Sequence, residues 1–172
     1  MTIEPIDAGR QAIVRQATEH CLHRAGDLWR CSVEPVPVTF DLVGRSAGMY
    51  RVRQGRRSIR YNPYLFAKYF EENVAVTVPH EVAHYVTDVL YGLHRVRPHG
   101  VEWQAVMRSL GVEPRASGDY DLAGVPVRRQ RRFDYACGCA THHLSARRHN
   151  QVHRGEALYR CRCCGGPLVY SG

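Results

Sequence analysis

The chain has 172 residues, enough for one domain plus a small module, and 44% of them are hydrophobic. Its net charge of +8 is concentrated near the C-terminus, because residues 127–162 carry nine arginines and two acids, 9 − 2 = +7. No segment approaches the roughly 18 consecutive apolar residues of a membrane span, and the start lacks the features of a secretory signal. These properties exclude a membrane-spanning protein and predict a soluble, cytoplasmic one.

The first third of the chain predicts one long helix followed by short strands. Asp7 can cap a helix that runs to about Trp29, since apolar residues recur along it at steps of three and four. Three extended segments follow, with turns short enough for an antiparallel meander: 36–42, 47–52 and 58–61. Asn62 closes the meander, and Pro63 can occupy the first position of a short helix.

A second long helix is predicted over about 74–91, and it contains the pattern His-Glu-x-x-His. In a helix His80 and His84 lie one turn apart on the same face, so both imidazoles can bind one metal ion. Glu81 is offset by one residue, where a carboxylate can act as a general base. Because Pro79 cannot donate a helical hydrogen bond, the helix either begins just before it or kinks there.

A third metal ligand is expected downstream, since a catalytic zinc usually takes three protein ligands and leaves one position open. His94 and His99 are the candidates, and Glu102 is the carboxylate alternative. His99 stands at the start of another predicted helix, where a short chain reversal could return it to the metal. Asp88, one turn beyond His84, either orients a ligand or is a solvated surface residue.

The C-terminal part of the chain is rich in cysteine and histidine. Residues 111–126 are predicted to connect the preceding helix to this part of the chain. Five of the seven cysteines lie between Cys137 and Cys164. Such clustering is typical of metal thiolates rather than of disulfides. The predicted ligands of a structural zinc, spaced as in zinc knuckles, are Cys139, His142, Cys161 and Cys164, with Cys137 as the alternate.

Arginines around this module predict DNA binding, because they can neutralise phosphates without reading a base sequence. The residues assigned to this contact are Arg128, Arg129, Arg131, Arg132, Arg147 and Arg148. A solvated basic surface is the alternative. Tyr135 and Tyr159 either stack on exposed bases or pack inside the module.

In this order, the motifs resemble those of the SprT-like zinc metalloproteases, the family that includes Spartan. The resemblance covers about residues 35–169 and rests on Asn62-Pro63, Val78-Pro79-His80-Glu81-Val82-Ala83-His84, Pro98-His99-Gly100-Val101-Glu102-Trp103 and the Cys/His module. It implies that His80, His84 and His99 bind a catalytic zinc and that Glu81 is the general base. A proline before the first histidine belongs to the same family pattern.

The resemblance also implies an α+β architecture in two parts. Residues 1–126 would form a zincin-like metalloprotease domain, with an N-terminal helix, a small three-stranded antiparallel sheet, the motif helix and a following helix. Residues 127–172 would form a basic zinc ribbon. We expect one catalytic and one structural Zn²⁺ in a monomeric protein.

The function implied by the resemblance is that of a zinc-dependent endopeptidase directed by DNA. Its expected substrates are DNA-bound or DNA-crosslinked proteins, as in the repair of such crosslinks. The expected nucleic-acid partner is single-stranded or damaged DNA, bound without sequence preference. In a bacterium the protein would therefore associate with the nucleoid.

Two other functions fit the same motifs. A nucleic-acid-binding protein, such as a transcription-associated factor, would use the ribbon while the first site is silent. A metal-stabilised interaction module would close the first site with a fourth protein ligand. Glu81 beside both histidines favours catalysis, because a purely structural site needs no general base.

Overall fold

The computed structural model describes residues 2–127 and 131–172. The chain divides into two compact units between Val127 and Arg128. Within the described residues, no helix combines the length and the apolar character that crossing a bilayer requires.

The first unit contains five α-helices and three strands among its described residues. In chain order these are α1 (Ala8–Trp29), β1 (Val38–Thr39), β2 (Gly48–Arg53), β3 (Arg56–Tyr61), α2 (Pro63–Lys68), α3 (Phe70–Glu72), a π-helical turn (Asn73–Thr77), α4 (Val78–Tyr91) and α5 (Val101–Ser109). The predicted cap of α1 is confirmed, since the side chain of Asp7 accepts a hydrogen bond of 2.8 Å from the Arg10 backbone N–H.

The sheet differs from the predicted antiparallel meander. Its strand order is β1-β3-β2, with β2 and β3 antiparallel but β1 and β3 parallel. The prediction of a wholly antiparallel sheet is therefore wrong for β1. The chain leaving β1 passes through residues 40–47 and enters β2 on the far side of β3, so β1 and β2 become the two edges of a mixed sheet.

The motif helix avoids the problem that Pro79 poses by the way it begins. The α-helical part starts at Val78, so Pro79 lies in its first turn, where a backbone N–H is dispensable. The preceding π-helical turn closes with the Val78 N–H bonded to the carbonyl of Asn73, five residues back. The helical path therefore continues from α3 into α4 without a break.

The core of the first unit lies between α1, α4, α5 and the sheet. Fully buried apolar side chains come from each of these elements, among them Val14, Ile59, Val82, Val86 and Met107. Each such side chain contributes about 1.5–3 kcal/mol by leaving water. This packing fixes α4, and with it the motif histidines.

Residues 115–126, which we call the strap, hold no regular structure but return across the first unit. The Lys68 ammonium binds the Asp121 carboxylate at 2.7 Å. The Ile3 and Gly44 backbone N–H groups donate to carbonyls of Gly124 and Pro126 at 3.0 and 2.9 Å. The segment predicted as a simple connection is therefore anchored along its length.

The second unit is a small three-stranded antiparallel sheet with one helix among its described residues. Its elements are β4 (Arg132–Ala136), β5 (Thr141–Ser145), α6 (Ala146–His153) and β6 (Val169–Tyr170), with strand order β5-β4-β6. β4 and β5 form an antiparallel hairpin, whereas α6 was not predicted. Within residues 131–172 the buried apolar side chains are Tyr135, Leu144 and Cys161, a very small core.

Candidate metal centres

Three histidines of the first unit converge on one point. The Nε2 atoms of His80 and His84 are 3.2 Å apart, and each lies 3.1 Å from the Nε2 of His99. Tetrahedral coordination with Zn–N bonds of about 2.0–2.1 Å places ligand nitrogens about 3.3 Å apart. The three imidazoles therefore fit a single zinc ion.

His99 reaches this point through the chain reversal suggested by the sequence. The Gly100 N–H closes the turn by donating to the Arg97 carbonyl at 2.9 Å, and His99 adopts a left-handed backbone with φ of 57°. Few non-glycine residues adopt that conformation, and it is frequent at functional sites. The two other candidates, His94 and Glu102, lie outside the cluster of potential ligands.

Trp103 forms the back of the histidine cluster. Its ring centroid lies 4.7 Å from those of His80 and His99 and 5.6 Å from that of His84. Its indole N–H donates to the His80 carbonyl at 3.2 Å, and the side chain is buried. Trp103 thus restrains all three histidine rings.

The histidine rings are held in the neutral form that binds metals. Burial lowers the pKa of His80 to about 4, helped by nearby His99 and opposed by a backbone hydrogen bond to Arg115. Burial, with the neighbouring imidazoles, lowers the pKa of His84 to about 3, and burial also lowers the pKa of His99. Neutral imidazoles offer lone pairs to a cation without first losing a proton.

Glu81 is held against strand β2. Its Oε2 accepts a 2.6 Å hydrogen bond from the Tyr50 backbone N–H, and a Cβ built at Gly48 would lie 2.5 Å from its Oε1. Only glycine therefore leaves room for this carboxylate. Burial raises the pKa of Glu81 to about 8, and the bond from Tyr50 acts in the opposite direction.

Asp88 has a role that differs from both sequence interpretations. It is buried, and its Oδ2 accepts hydrogen bonds of 2.7 Å from the Tyr50 hydroxyl and from Arg57 Nε. Burial alone would raise the pKa of Asp88, but these two bonds outweigh it and lower that pKa below its usual range. Asp88 thus anchors the β2–β3 hairpin to the motif helix.

An open cleft of about 510 Å³ lies in front of His80 and Glu81. One wall is residues 45–48, fixed by the buried Asn62, whose amide donates to the carbonyls of Gly44 and Ser46 at 3.0 and 3.2 Å. The other wall is the strap. β2 is an edge strand of the sheet, and its first residue, Gly48, lines this cleft.

The strap is attached next to the motif helix by Tyr120. Its hydroxyl donates to Asn73 Oδ1 at 2.7 Å and lies 3.2 Å from Thr77 Oγ1. Both partners belong to the π-helical turn. No sequence pattern indicated that this tyrosine would line the cleft.

The second unit brings four thiols together. The sulfur atoms of Cys137, Cys139, Cys161 and Cys164 all lie within 4.8 Å of one another. Cys139 Sγ is 3.4 Å from Cys137 Sγ and 3.7 Å from Cys161 Sγ, whereas Zn–S bonds of about 2.3 Å place tetrahedral sulfurs about 3.8 Å apart. A closed four-thiolate zinc site fits these residues.

This set differs from the predicted one by a single residue. Cys137, the alternate, belongs to the cluster of four, while His142 lies beside it with Nε2 3.3 Å from Cys137 Sγ. The reason is the hairpin register, which pairs His142 with Tyr135 inside the sheet and leaves Cys137 and Cys139 at the tip. A backbone hydrogen bond from Cys139, together with His142, lowers the pKa of Cys137 to about 5.

The arginines predicted to contact DNA lie in the second unit. Arg131 and Arg132 are exposed at the start of β4, and Arg147 and Arg148 are exposed on α6. The guanidinium of Arg131 stacks 4.8 Å above the Phe133 ring. Arg128 and Arg129 lie outside the described residues.

The two tyrosines considered for base stacking differ in accessibility. Tyr135 is buried, so its ring packs inside the unit. Tyr159 is half-buried, lies beneath the Arg148 guanidinium at 5.5 Å and donates to Gln151 Oε1 at 2.9 Å.

Comparison with known proteins covers both units. Residues 12–131 match the SprT-like family, and residues 131–172 match the SprT-like zinc ribbon domain. The second match agrees with the four-cysteine cluster, which indicates zinc binding by this unit. No solved structure gives a significant match to the chain.

Curated relatives align along most of their length. Protein SprT of Klebsiella pneumoniae is 42% identical over 161 residues, covering 93% of this chain and 92% of the relative. Protein SprT of Vibrio parahaemolyticus is 38% identical over 160 residues, covering 92% of each chain. Protein SprT of Escherichia coli O157:H7 is 39% identical over 161 residues, covering 93% of each.

Proposed function

Because the chain belongs to the SprT-like family, whose members resemble metalloproteases, we propose that it is a zinc-dependent endopeptidase. Its proposed substrates are proteins bound or crosslinked to DNA. The observation that carries the proposal is the convergence of three histidine nitrogens at 3.1–3.2 Å beside the buried Glu81 carboxylate. A fourth protein ligand, which a structural site would have, is not part of this cluster among the described residues.

The ion would be held by His80, His84 and His99, and Glu81 would accept and donate the proton. A zinc ion bound there supplies a Lewis acid that polarises a peptide carbonyl and makes water more acidic. The Tyr50 N–H bond to Oε2 would hold the Glu81 carboxylate in place while one carboxylate oxygen accepts a proton from water. The same oxygen later donates it to the departing amine nitrogen.

The cleft supports a peptide as the substrate. It is open, with about 510 Å³ between residues 45–48 and the strap, and the edge strand β2 begins at its wall with Gly48. An extended chain that pairs with such an edge is held by main-chain hydrogen bonds, which do not depend on side-chain identity. Broad sequence tolerance follows, as expected for an enzyme that acts on whichever protein is attached to DNA.

The second unit would supply the contact with DNA. Arg131, Arg132, Arg147 and Arg148 are exposed and can bind phosphates without reading bases. The four cysteines would hold a structural zinc that keeps these arginines in place. Binding through such contacts weakens steeply as the salt concentration rises.

The test compares Glu81→Gln with wild type on a DNA-binding protein substrate, with and without single-stranded DNA. We expect Glu81→Gln to lower the cleavage rate by roughly 10²–10⁴-fold, the usual contribution of a general acid–base group, with the zinc content unchanged. Glu102→Gln is the matched control, because Glu102 lies outside the histidine cluster, and it should cleave at the wild-type rate.

Two outcomes would contradict the proposal separately. Equal cleavage by wild type and Glu81→Gln would rule out the catalytic role of this carboxylate. Equal cleavage with and without DNA at low salt would leave a protease that DNA does not direct.

A further inference from the structure

The β2–β3 hairpin of the first unit carries its own concentration of positive charge. Between residues 43 and 70 the sequence holds no Asp or Glu, but seven basic residues: Arg45, Arg51, Arg53, Arg56, Arg57, Arg60 and Lys68. Five of the seven are on β2 and β3. The net charge of the first unit does not reveal this local excess of positive charge, because acidic residues elsewhere in the unit offset it.

The hairpin register places three of these arginines on one face. Arg53 pairs directly with Arg56, and Arg51 precedes Arg53 by two residues on the same strand, so their side chains share one side of the sheet. We call Arg51, Arg53 and Arg56 the arginine face. All three are exposed.

The two remaining arginines of the hairpin are engaged in structural ion pairs. Arg57 binds the buried Asp88 at 2.7 Å, and Arg60 binds Asp41 through two hydrogen bonds of 2.9 Å. By contrast, the guanidinium groups of the arginine face make no ion pair or hydrogen bond within residues 2–127 and 131–172. Like charges directly opposite each other destabilise a sheet, so the bare hairpin carries an unfavourable term that an anion would remove.

The arginine face borders a concave surface of about 480 Å³. Its lining also includes Pro37, Gln54 and Ser58. The amide and the hydroxyl are neutral donors that suit phosphate oxygens, and arginine binds phosphate through two parallel N–H groups. The surface therefore combines positive charge, donors and a concave shape.

We propose that the arginine face binds the sugar–phosphate backbone of nucleic acid, at a site separate from the ribbon. It shares its ligand with the proposed function but not its residues, and it does not depend on cleavage. The hairpin that carries the arginine face also holds Glu81, the candidate general base, because the Tyr50 N–H donates to its carboxylate. The Tyr50 hydroxyl and Arg57 Nε both donate to Asp88 on the motif helix. Nucleic acid bound here would lie on the strand pair that positions the general base.

The test measures DNA binding by the full chain carrying Glu81→Gln, so that no result depends on proteolysis. The test variant adds Arg51→Gln, Arg53→Gln and Arg56→Gln, and the control adds Arg24→Gln, Arg95→Gln and Arg108→Gln. The control removes the same charge from three exposed positions: one on α1, one in the loop that follows α4, and one on α5. Fluorescence anisotropy of a labelled thymidine oligonucleotide is recorded across a range of potassium chloride concentrations.

We expect the test variant to bind roughly tenfold or more weakly at low salt. The slope of log affinity against log salt should fall by about 3, one for each lost phosphate contact. The control should keep the parent slope. Thermal melting should show no loss of stability in the test variant, since removing opposed like charges relieves repulsion.

Three results would overturn the proposal. An unchanged salt slope in the test variant would show that the arginine face does not contact phosphates. Equal losses in the test and control variants would show an effect of net charge alone. Retained DNA binding with lost binding of poly-glutamate, measured in parallel, would assign the face to an acidic protein partner.

A parallel arm separates this site from the ribbon. Arg147→Gln with Arg148→Gln tests the ribbon contact in the same assay. Loss of slope only in this arm would refute the arginine face and keep the ribbon. Loss only in the hairpin arm would do the reverse.

Discussion

The histidine site and the cysteine site depend on their surroundings in opposite ways. The histidines lie on α4 and on a closed turn, behind which Trp103 is buried within a core drawn from three helices and a sheet. The cysteines lie at a hairpin tip and in a loop, in a unit whose described buried apolar side chains are Tyr135, Leu144 and Cys161. The first site is formed by the fold, whereas we expect the second unit to need its metal in order to fold.

The largest expected effect is loss of the second unit when its metal site is broken. Structural zinc sites contribute roughly 10–16 kcal/mol of binding energy, which is also folding energy. We therefore expect Cys161→Ser to unfold residues 131–172. In NMR spectra the amide signals of these residues should lose their chemical-shift dispersion, while the signals of the first unit stay in place. Cys163→Ser is the control, because Cys163 is exposed and outside the four-thiol cluster.

Chelation extends the same comparison to both sites at once. A metal chelator should abolish the folded signals of the second unit and leave the helical circular dichroism of the first unit nearly unchanged. Joint unfolding of both units would show that the histidine site also depends on its metal, and the contrast between the two sites would be lost.

An intermediate effect is expected from filling the space beside Glu81. Gly48→Ala would place a Cβ 2.5 Å from Glu81 Oε1, so the carboxylate must move. Displacement of a catalytic group by about 1 Å can cost 10²-fold, and we expect kcat/KM to fall by roughly 10–100-fold with zinc content retained.

Gly9→Ala provides the control for this change. The added Cβ there would lie at an ordinary 3.4 Å from Asp7 Oδ1, so activity should not change. Wild-type activity in Gly48→Ala would mean that Glu81 adjusts freely and that the site is less preformed than its geometry indicates.

An effect of similar size, on stability instead of activity, is expected at Asp88, which stabilises the first unit without any metal. Asp88→Asn removes a charged acceptor of two hydrogen bonds and should cost about 1.5–3 kcal/mol at neutral pH, measured by urea unfolding. The folded-state pKa of Asp88 is lowered. Its contribution is therefore complete above the unfolded value of about 3.9 and is lost as the pH falls below it.

The difference between wild type and Asp88→Asn should accordingly shrink below about pH 4. A difference that stays constant down to pH 2 would contradict the charged role of Asp88. Tyr50→Phe, which removes one of the two donors, should show a smaller loss of stability over the same range.

Residues whose chemistry is local to a motif could be predicted from the sequence. His80, His84 and Glu81 follow from helical spacing, and the cap at Asp7 follows from the residue type. His99 required either the resemblance or the structure, because a third ligand after a loop has no fixed spacing.

Long-range contacts could not be read from the sequence. The parallel pairing of β1 depends on the path of residues 40–47 between β1 and β2. The position of Tyr120 in the cleft depends on the path of the strap. Gly48 is a partial exception, since an isolated glycine inside a strand indicates a close approach by another group. The group itself, Glu81, lies 33 residues further along the chain.

The π-helical turn also sets the rotational phase of the motif helix. Residues in an α-helix advance by about 100° each, and the turn holds one residue more than an α-helical path would need. If the same residues formed an unbroken α-helix, everything before the turn would be rotated by about 100° relative to α4. The contacts that Asn73 makes with the carbonyls of Leu65 and Tyr69 and with the Tyr120 hydroxyl therefore depend on the π-helical turn as well as on the residue type.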